Sequence, residues 1–217
     1  LKSLIDLKNI ENSNSLVRAL AFRIYEGNGV VKRNEVENFL SQLEQKDRKV
    51  LRTIGVRFGR YHIFLYKLLK PKPVMMRVIL WKNYYQKYLN LNIPKFGLNF
   101  LYNGKSLNQN FMLICGFEKF NNIYVRIDIL ERLFLMIFEI GKNEKKEIKL
   151  KPEMLNLLGC SKENFIKLIE NMDYKTFNKN DEIFFKYSPK KKFRKINEKN
   201  KITVDNPFNV LKEMSIK

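Results

Sequence analysis

Arg57, Arg60, Tyr61 and His62 stand close together in the stretch Leu51–Pro73. Guanidinium groups bind phosphate oxygens, and aromatic rings stack on bases. His62 is the only histidine, and with an ordinary pKa near neutrality it is a candidate general base. Gly55 and Gly59 bracket Val56-Arg57-Phe58, and Lys67 and Lys70 carry the positive charge on to Pro71 and Pro73. Basic and aromatic side chains above glycine-jointed backbone suit a surface that meets a polyanion or a partner.

Other chemistries find no support. The two cysteines, Cys115 and Cys160, form no C-x-x-C pair and have no histidine beside them, so a structural zinc site lacks its ligands. They build no disulfide framework either, which suits a reducing cytoplasm, the expected location. No phosphate-binding G-x-x-x-x-G-K-[ST] loop and no G-x-S-x-G nucleophile turn occurs. His62, flanked by strand-forming residues, reads as a packing or hydrogen-bonding residue, also available to stack. The segment is expected to be non-catalytic, with no cofactor or metal of its own. No apolar run of about 18 residues is present.

The charge points the same way. There are 42 Lys+Arg against 22 Asp+Glu, a net charge of +20. Such an excess suits nucleic acid first and an anionic membrane surface second. AT-rich coding, with its many asparagines, accounts for part of the lysine. From Lys186 to Lys201 eight Lys/Arg face one Glu. Lys190, Lys191, Lys192, Arg194 and Lys195 form its centre, a non-specific anchor for phosphate.

These residues need elements to hold them, and the pattern is mainly α with small β elements (α+β). Ser13 or Ser15 caps a helix from about Leu16, which Gly27-Asn28-Gly29 ends; Val30 and Val31 cross a short connection. A second helix spans Asn34 to about Leu51, making residues 1–50 a helical hairpin. Ile54, Val56 and Phe58 alternate with Gly55, Arg57 and Gly59 as a strand, extendable through Ile63-Phe64-Leu65. Pro73 opens a helix to about Leu89, apolar nearly all round and so expected to be buried on more than one side. Residues 51–126 form this strand/helix unit. It includes a strand at Phe100–Tyr102, a helix opened by a Ser106-x-x-Gln109 capping box, and a hairpin turning at Asn121-Asn122.

Residues 127–188 read as a winged helix-turn-helix. Asp128-x-x-Glu131 opens a helix that Gly141 stops, with Leu130, Leu133, Phe134, Ile137 and Phe138 inward. A strand follows at Glu147–Leu150, then a helix opened by Pro152. Gly159 makes the turn, Ser161 caps a helix to about Met172, and two strands close the unit. Its second paired helix would either read nucleic acid through Lys162, Asn164 and Lys167 or serve as a structural or partner-docking surface, since Glu163 and Glu170 dilute its charge. Residues 189–217 are a basic tail with an apolar end around Phe208 and Leu211.

The run Ile54–Leu65 with Lys67-Leu68-Leu69-Lys70-Pro71 resembles the C-terminal region of bacterial superfamily 2 ATP-dependent helicases related to the mitochondrial degradosome RNA helicase. Leu16–Phe22, Val125–Leu133, Pro152–Ser161 and Asp205–Phe208 are similar to the same family, in family order. Tyr66 stands where that family has proline, so the strand is expected to run longer here. The resemblance implies a nucleic-acid-binding end of a helicase, holding or guiding RNA or DNA, single strands favoured. The motor would lie upstream in the parent chain, and ATP and magnesium belong to that motor alone. Leu1 in place of an initiating Met agrees with a fragment. The alternative is a free-standing winged-helix DNA-binding protein, a replication initiator or regulator. A third reading is an interaction scaffold.

Overall fold

The structure, a computed structural model, describes residues 2–10, 14–86, 90–104, 107–143, 147–179 and 181–189. The fold is α+β, with small antiparallel three-stranded sheets between helices.

Helix α1 (Lys2–Lys8) packs beside α2 (Ser15–Glu26), which buries Val17, Leu20, Ala21 and Ile24. The cap of α2 is Asn14, whose side chain accepts the Val17 N–H and donates to Asp47 at 2.9 Å. Ser15 is instead the first helical residue, and Ser13 lies outside the described residues. Asn28 (φ 54°) and Gly29 (φ 87°) reverse the chain after α2. Val30 and Val31 do not merely connect: they belong to strand β1 (Val30–Lys32). The single helix expected over 34–51 is broken. A 3₁₀ turn (Arg33–Glu35) leads into α3 (Glu37–Gln42) and α4 (Gln45–Ile54). Leu43 is extended, and a reciprocal Glu44–Asp47 capping box restarts the helix. Residues 1–50 are therefore not a plain helical pair, and α4 runs across position 50.

The strand expected over 54–65 is a hairpin. Gly55, at φ 105°, ends α4 in the left-handed conformation that glycine adopts without steric cost. Strands β2 (Val56–Phe58) and β3 (His62–Leu65) then pair antiparallel, with the reversal at residues 59–61. Central strand β3 also pairs with β1 and is buried at every position, which explains the apolar run Ile63-Phe64-Leu65 that follows His62. Tyr66 does not lengthen it; Tyr66–Leu69 form a 3₁₀ turn.

Helix α5 (Pro71–Tyr84) begins at Pro71 rather than Pro73. It is buried on one side only: Val74, Arg77 and Val78 point inward, while Met75, Met76, Ile79 and Leu80 are exposed. Buried Arg77 donates to the carbonyls of Asn28 and Leu68, fastening α5 to the turn after α2 and to the 3₁₀ turn that precedes it. Strand β4 (Phe100–Tyr102), helix α6 (Gln109–Ile114) and strands β5 (Phe117–Phe120) and β6 (Ile123–Arg126) follow. Asn108 caps α6 by accepting the Phe111 N–H, so the cap is not Ser106, which lies outside the described residues. The hairpin turns with Asn121 at φ 54°, as its sequence indicates.

Helix α7 (Ile127–Asn143) starts on the residue after β6 and runs through Gly141, the expected stop. Its apolar face buries Leu130, Leu133 and Ile137, while Phe138 is exposed. Then come β7 (Ile148–Lys149), α8 (Pro152–Leu158), α9 (Lys162–Asn171), β8 (Tyr174–Lys179) and β9 (Glu182–Tyr187). Gly159 (φ 69°) turns the chain between the paired helices, and Ser161 accepts the Asn164 N–H as cap.

The elements repeat. Helices α2, α5 and α7 begin at Ser15, Pro71 and Ile127, at equal intervals along the chain. Each is followed by a strand, a helix or helix pair, and a hairpin. The three sheets share one order, β1-β3-β2, β4-β6-β5 and β7-β9-β8, with the last strand always central. Three apolar cores follow the units, the third extended by Ile123 and Val125 of β6, and Val30, Phe64, Leu69 and Ile127 form a smaller cluster.

Candidate nucleic-acid interface

The turn of the β2–β3 hairpin is built around a carboxylate from α7. Glu131 accepts the backbone N–H groups of Arg60, Tyr61 and His62, the last two at 2.9 Å each. Successive N–H groups aimed at one anion form a nest. A Cβ on Gly59 would lie 2.3 Å from the Glu131 carboxyl carbon, so glycine is required by close approach. Arg33 closes the other side, donating its Nη1 to the Gly59 carbonyl at 2.9 Å and its N–H to Tyr61 O.

Behind the turn lies a buried ionic chain joining the three units. The His62 ring, 1% exposed, places Nε2 2.8 Å from Glu118 Oε2 on β5. Its Nδ1 lies 3.6 Å from Glu131, an ion-pair distance but too long for a hydrogen bond. Lys32 on β1 meets the other Glu118 oxygen at 3.1 Å. Burial pulls the imidazole pKa down, but the Glu118 hydrogen bond and the Glu131 carboxylate outweigh it and raise the net value. Burial likewise acts against the Glu118 carboxylate, yet His62 and Lys32 hold its pKa below the ordinary value. Both groups thus favour their charged forms.

His62 is therefore not available to stack on a base. Tyr61 is half-buried, edge-on to Phe120 and Phe134 at centroid distances of 6.5 and 5.8 Å. Burial also pushes its phenol pKa upward. Both aromatic residues of the opening motif are structural in place. Its arginines are not: Arg57 and Arg60 are exposed.

Those arginines gather with others. A groove of about 580 Å³ is lined by Arg33, Arg52, Arg57, Arg60, Arg126 and Arg132, drawn from the first unit, β6 and α7. Among the described residues, ion pairs compensate Arg33, through Glu37, and Arg126, through a two-pronged contact with Asp128 at 2.7 and 2.8 Å. Arg52 lies over the Phe58 ring at 5.6 Å and Arg60 over Phe134 at 5.7 Å, so the rings orient the guanidinium planes. Exposed Tyr66 borders the same groove. Arg60 and Phe134 also border a larger, mainly apolar concavity of about 930 Å³.

The remaining expected contacts do not converge here. Lys67 and Lys70 are exposed but do not line the groove. On α9, Lys162 is exposed, Asn164 is half-buried, and Lys167 lies over Tyr102 at 5.7 Å. Lys190, Lys191, Lys192, Arg194 and Lys195 lie outside the described residues, as do Phe208 and Leu211. Sequence reasoning missed Arg33, Arg52, Arg126 and Arg132. Their basic character was visible, but their convergence depends on contacts between distant segments.

Among the described residues no group of His, Cys, Asp or Glu could hold a metal ion, and no helix is long and apolar enough to cross a membrane. Burial pushes the Cys115 thiol up to about 12 and Cys160 up to about 11, so neither is a ready nucleophile. No family model, curated protein or solved structure matches the chain.

Proposed function

We propose that this chain is a non-catalytic nucleic-acid-binding region of an ATP-dependent RNA or DNA helicase. Its work is to hold or guide a strand for a motor elsewhere in the parent chain. The convergence of six arginines on one groove, of which Arg33 and Arg126 are ion-paired and beside which Asp128 and Glu131 also lie, carries this reading. Phosphate oxygens are the natural complement of such a lining, because each guanidinium offers a planar fork of donors. The resemblance of Ile54–Leu65 to the helicase family supplies the context, and the net charge of +20 agrees with it.

The repeated element order favours a reading of the three units as winged-helix modules. It also keeps a second function in view, a free-standing winged-helix DNA-binding protein acting as initiator or regulator. That reading predicts a footprint at a defined, two-fold symmetric duplex site.

The first test is anisotropy of a labelled single-stranded RNA and its DNA counterpart at rising salt. Binding should weaken steeply with salt, and Arg57→Ala with Arg132→Ala should flatten the slope by about two, one per lost phosphate contact. Unchanged affinity and slope in the double variant would remove the groove from the interface. A protected duplex site with no single-strand affinity would favour the second function.

A further inference from the structure

We infer that α4 is a duplex-binding face adjoining the arginine groove, so that the preferred ligand is a B-form DNA duplex with a single-stranded extension. The inference rests on the nucleic-acid reading above and names the substrate for it.

The repeat locates this helix. In the third unit the sheet order β7-β9-β8 sets α9 as the second paired helix, immediately before the hairpin. In the first unit, with order β1-β3-β2, α4 holds that place. Its inward side is Asp47 and Leu51, and its outward side presents Lys46, Lys49, Val50 and Thr53. Helical spacing puts these outward positions on one face. Along the hairpin flank, Arg48 and Arg52 lie over the Phe58 ring at 5.9 and 5.6 Å.

The acidic residues of this segment offset little of that charge. Asp47 is buried, taken by Asn14 and by the Glu44 N–H. Glu44 meets Lys46 at 2.9 Å, but both side chains are more than half exposed, so the contact is easily exchanged for phosphate. A helix about 10–12 Å across fits the B-DNA major groove, about 12 Å wide, whereas the major groove of A-form RNA is too narrow. Arg52 belongs both to α4 and to the groove lining. A duplex on α4 would thus deliver its unpaired strand to the groove beside Arg57, Arg60 and Arg132.

The test uses the full chain and three labelled DNAs: a single strand, a blunt duplex, and a duplex with a single-stranded extension. The extended duplex should bind about tenfold more tightly than either simple ligand at equal salt. Lys46→Ala with Lys49→Ala should reduce that preference to the single-strand level, leave single-strand affinity unchanged, and flatten the duplex salt slope by about two. Arg57→Ala with Arg132→Ala should do the reverse, weakening the single strand and sparing the blunt duplex. Circular dichroism melts confirm that these exposed substitutions leave the fold intact. Equal affinity for all three DNAs, or an α4 variant indistinguishable from the parent, overturns the inference while single-strand binding keeps the broader reading. Loss of all nucleic-acid affinity in the parent overturns both.

Discussion

In the first unit, the helix before the hairpin carries Lys46, Arg48, Lys49 and Arg52, and the hairpin adds Arg57 and Arg60. In the third unit the corresponding helix mixes Lys162 and Lys167 with Glu163 and Glu170. Two lysines of its sheet are ion-paired as well, Lys149 with Glu182 and Lys179 with Glu147 at 2.5 Å, and Thr176 donates to Glu170 at 2.9 Å. One strand order therefore supports two surfaces of different charge. The backbone plan is held by buried apolar positions, such as Leu51 in α4 and Phe165 and Leu168 in α9, and leaves the outer positions free to diverge.

The largest effect should come from cutting the joint between the units. Glu131→Ala leaves three inward N–H groups and the His62 imidazole without their carboxylate. It should cost about 3–5 kcal/mol, the range for breaking a buried charged contact, read by urea denaturation. A cost comparable to that of an exposed ion pair would mean that the first and third units are not coupled through this residue.

A second, smaller effect is pH dependence. His62 has a folded pKa raised above 6.5, so its contribution is fully present below about 6.5 and is lost as pH rises through the folded value. Glu118 has a folded pKa below 4.5; its contribution is present above about 4.5 and is lost as pH falls through the folded value. The groups facing His62 are Glu118 on β5 and Glu131 on α7, with Lys32 on β1 paired to Glu118. Thermal melts should therefore be highest between about 4.5 and 6.5 and fall on the alkaline side. His62→Gln should remove the alkaline fall; its persistence in that variant would assign the effect to another group.

The smallest effect belongs to the third unit's surface. Lys149→Ala with Lys179→Ala should leave the urea midpoint unchanged within error, because both pairs are exposed. Nucleic-acid affinity should stay within about twofold, since neither residue lines the groove. A loss matching that of Arg57→Ala with Arg132→Ala would erase the distinction between the units.

The third unit is also where the sequence is most legible. Pro152, Gly159 and Ser161 mark starts and stops through local chemistry, and the structure places each in that role. The Asn121 turn is local in the same sense. In the first unit the deciding contacts are distant. Strand β1 has too few residues to show a period, and its partner β3 is contributed from beyond α4. Glu131 reads as part of a helix-opening pair with Asp128, yet its oxygens serve amides some seventy positions earlier, and Asp128 instead pairs with Arg126. Arg57 and Arg60 stand out in the text because they crowd together. Arg126 and Arg132 become their neighbours only when α7 is laid against the hairpin. The threefold repeat of element order escapes a residue-by-residue reading because it is carried by strand order, which only the paired sheets display.

One junction sets how these units can respond to load. Strand β6 ends at Arg126 and α7 begins at Ile127, with the Ile127 N–H bonded to Gly116 O and the Arg126 N–H to Asn99 O. There is no spacer there to uncoil. A pull delivered to the second sheet passes directly into the helix whose Glu131 grips the hairpin turn. The joint is built as a lever rather than a tether, because strand and helix share one uninterrupted stretch of backbone.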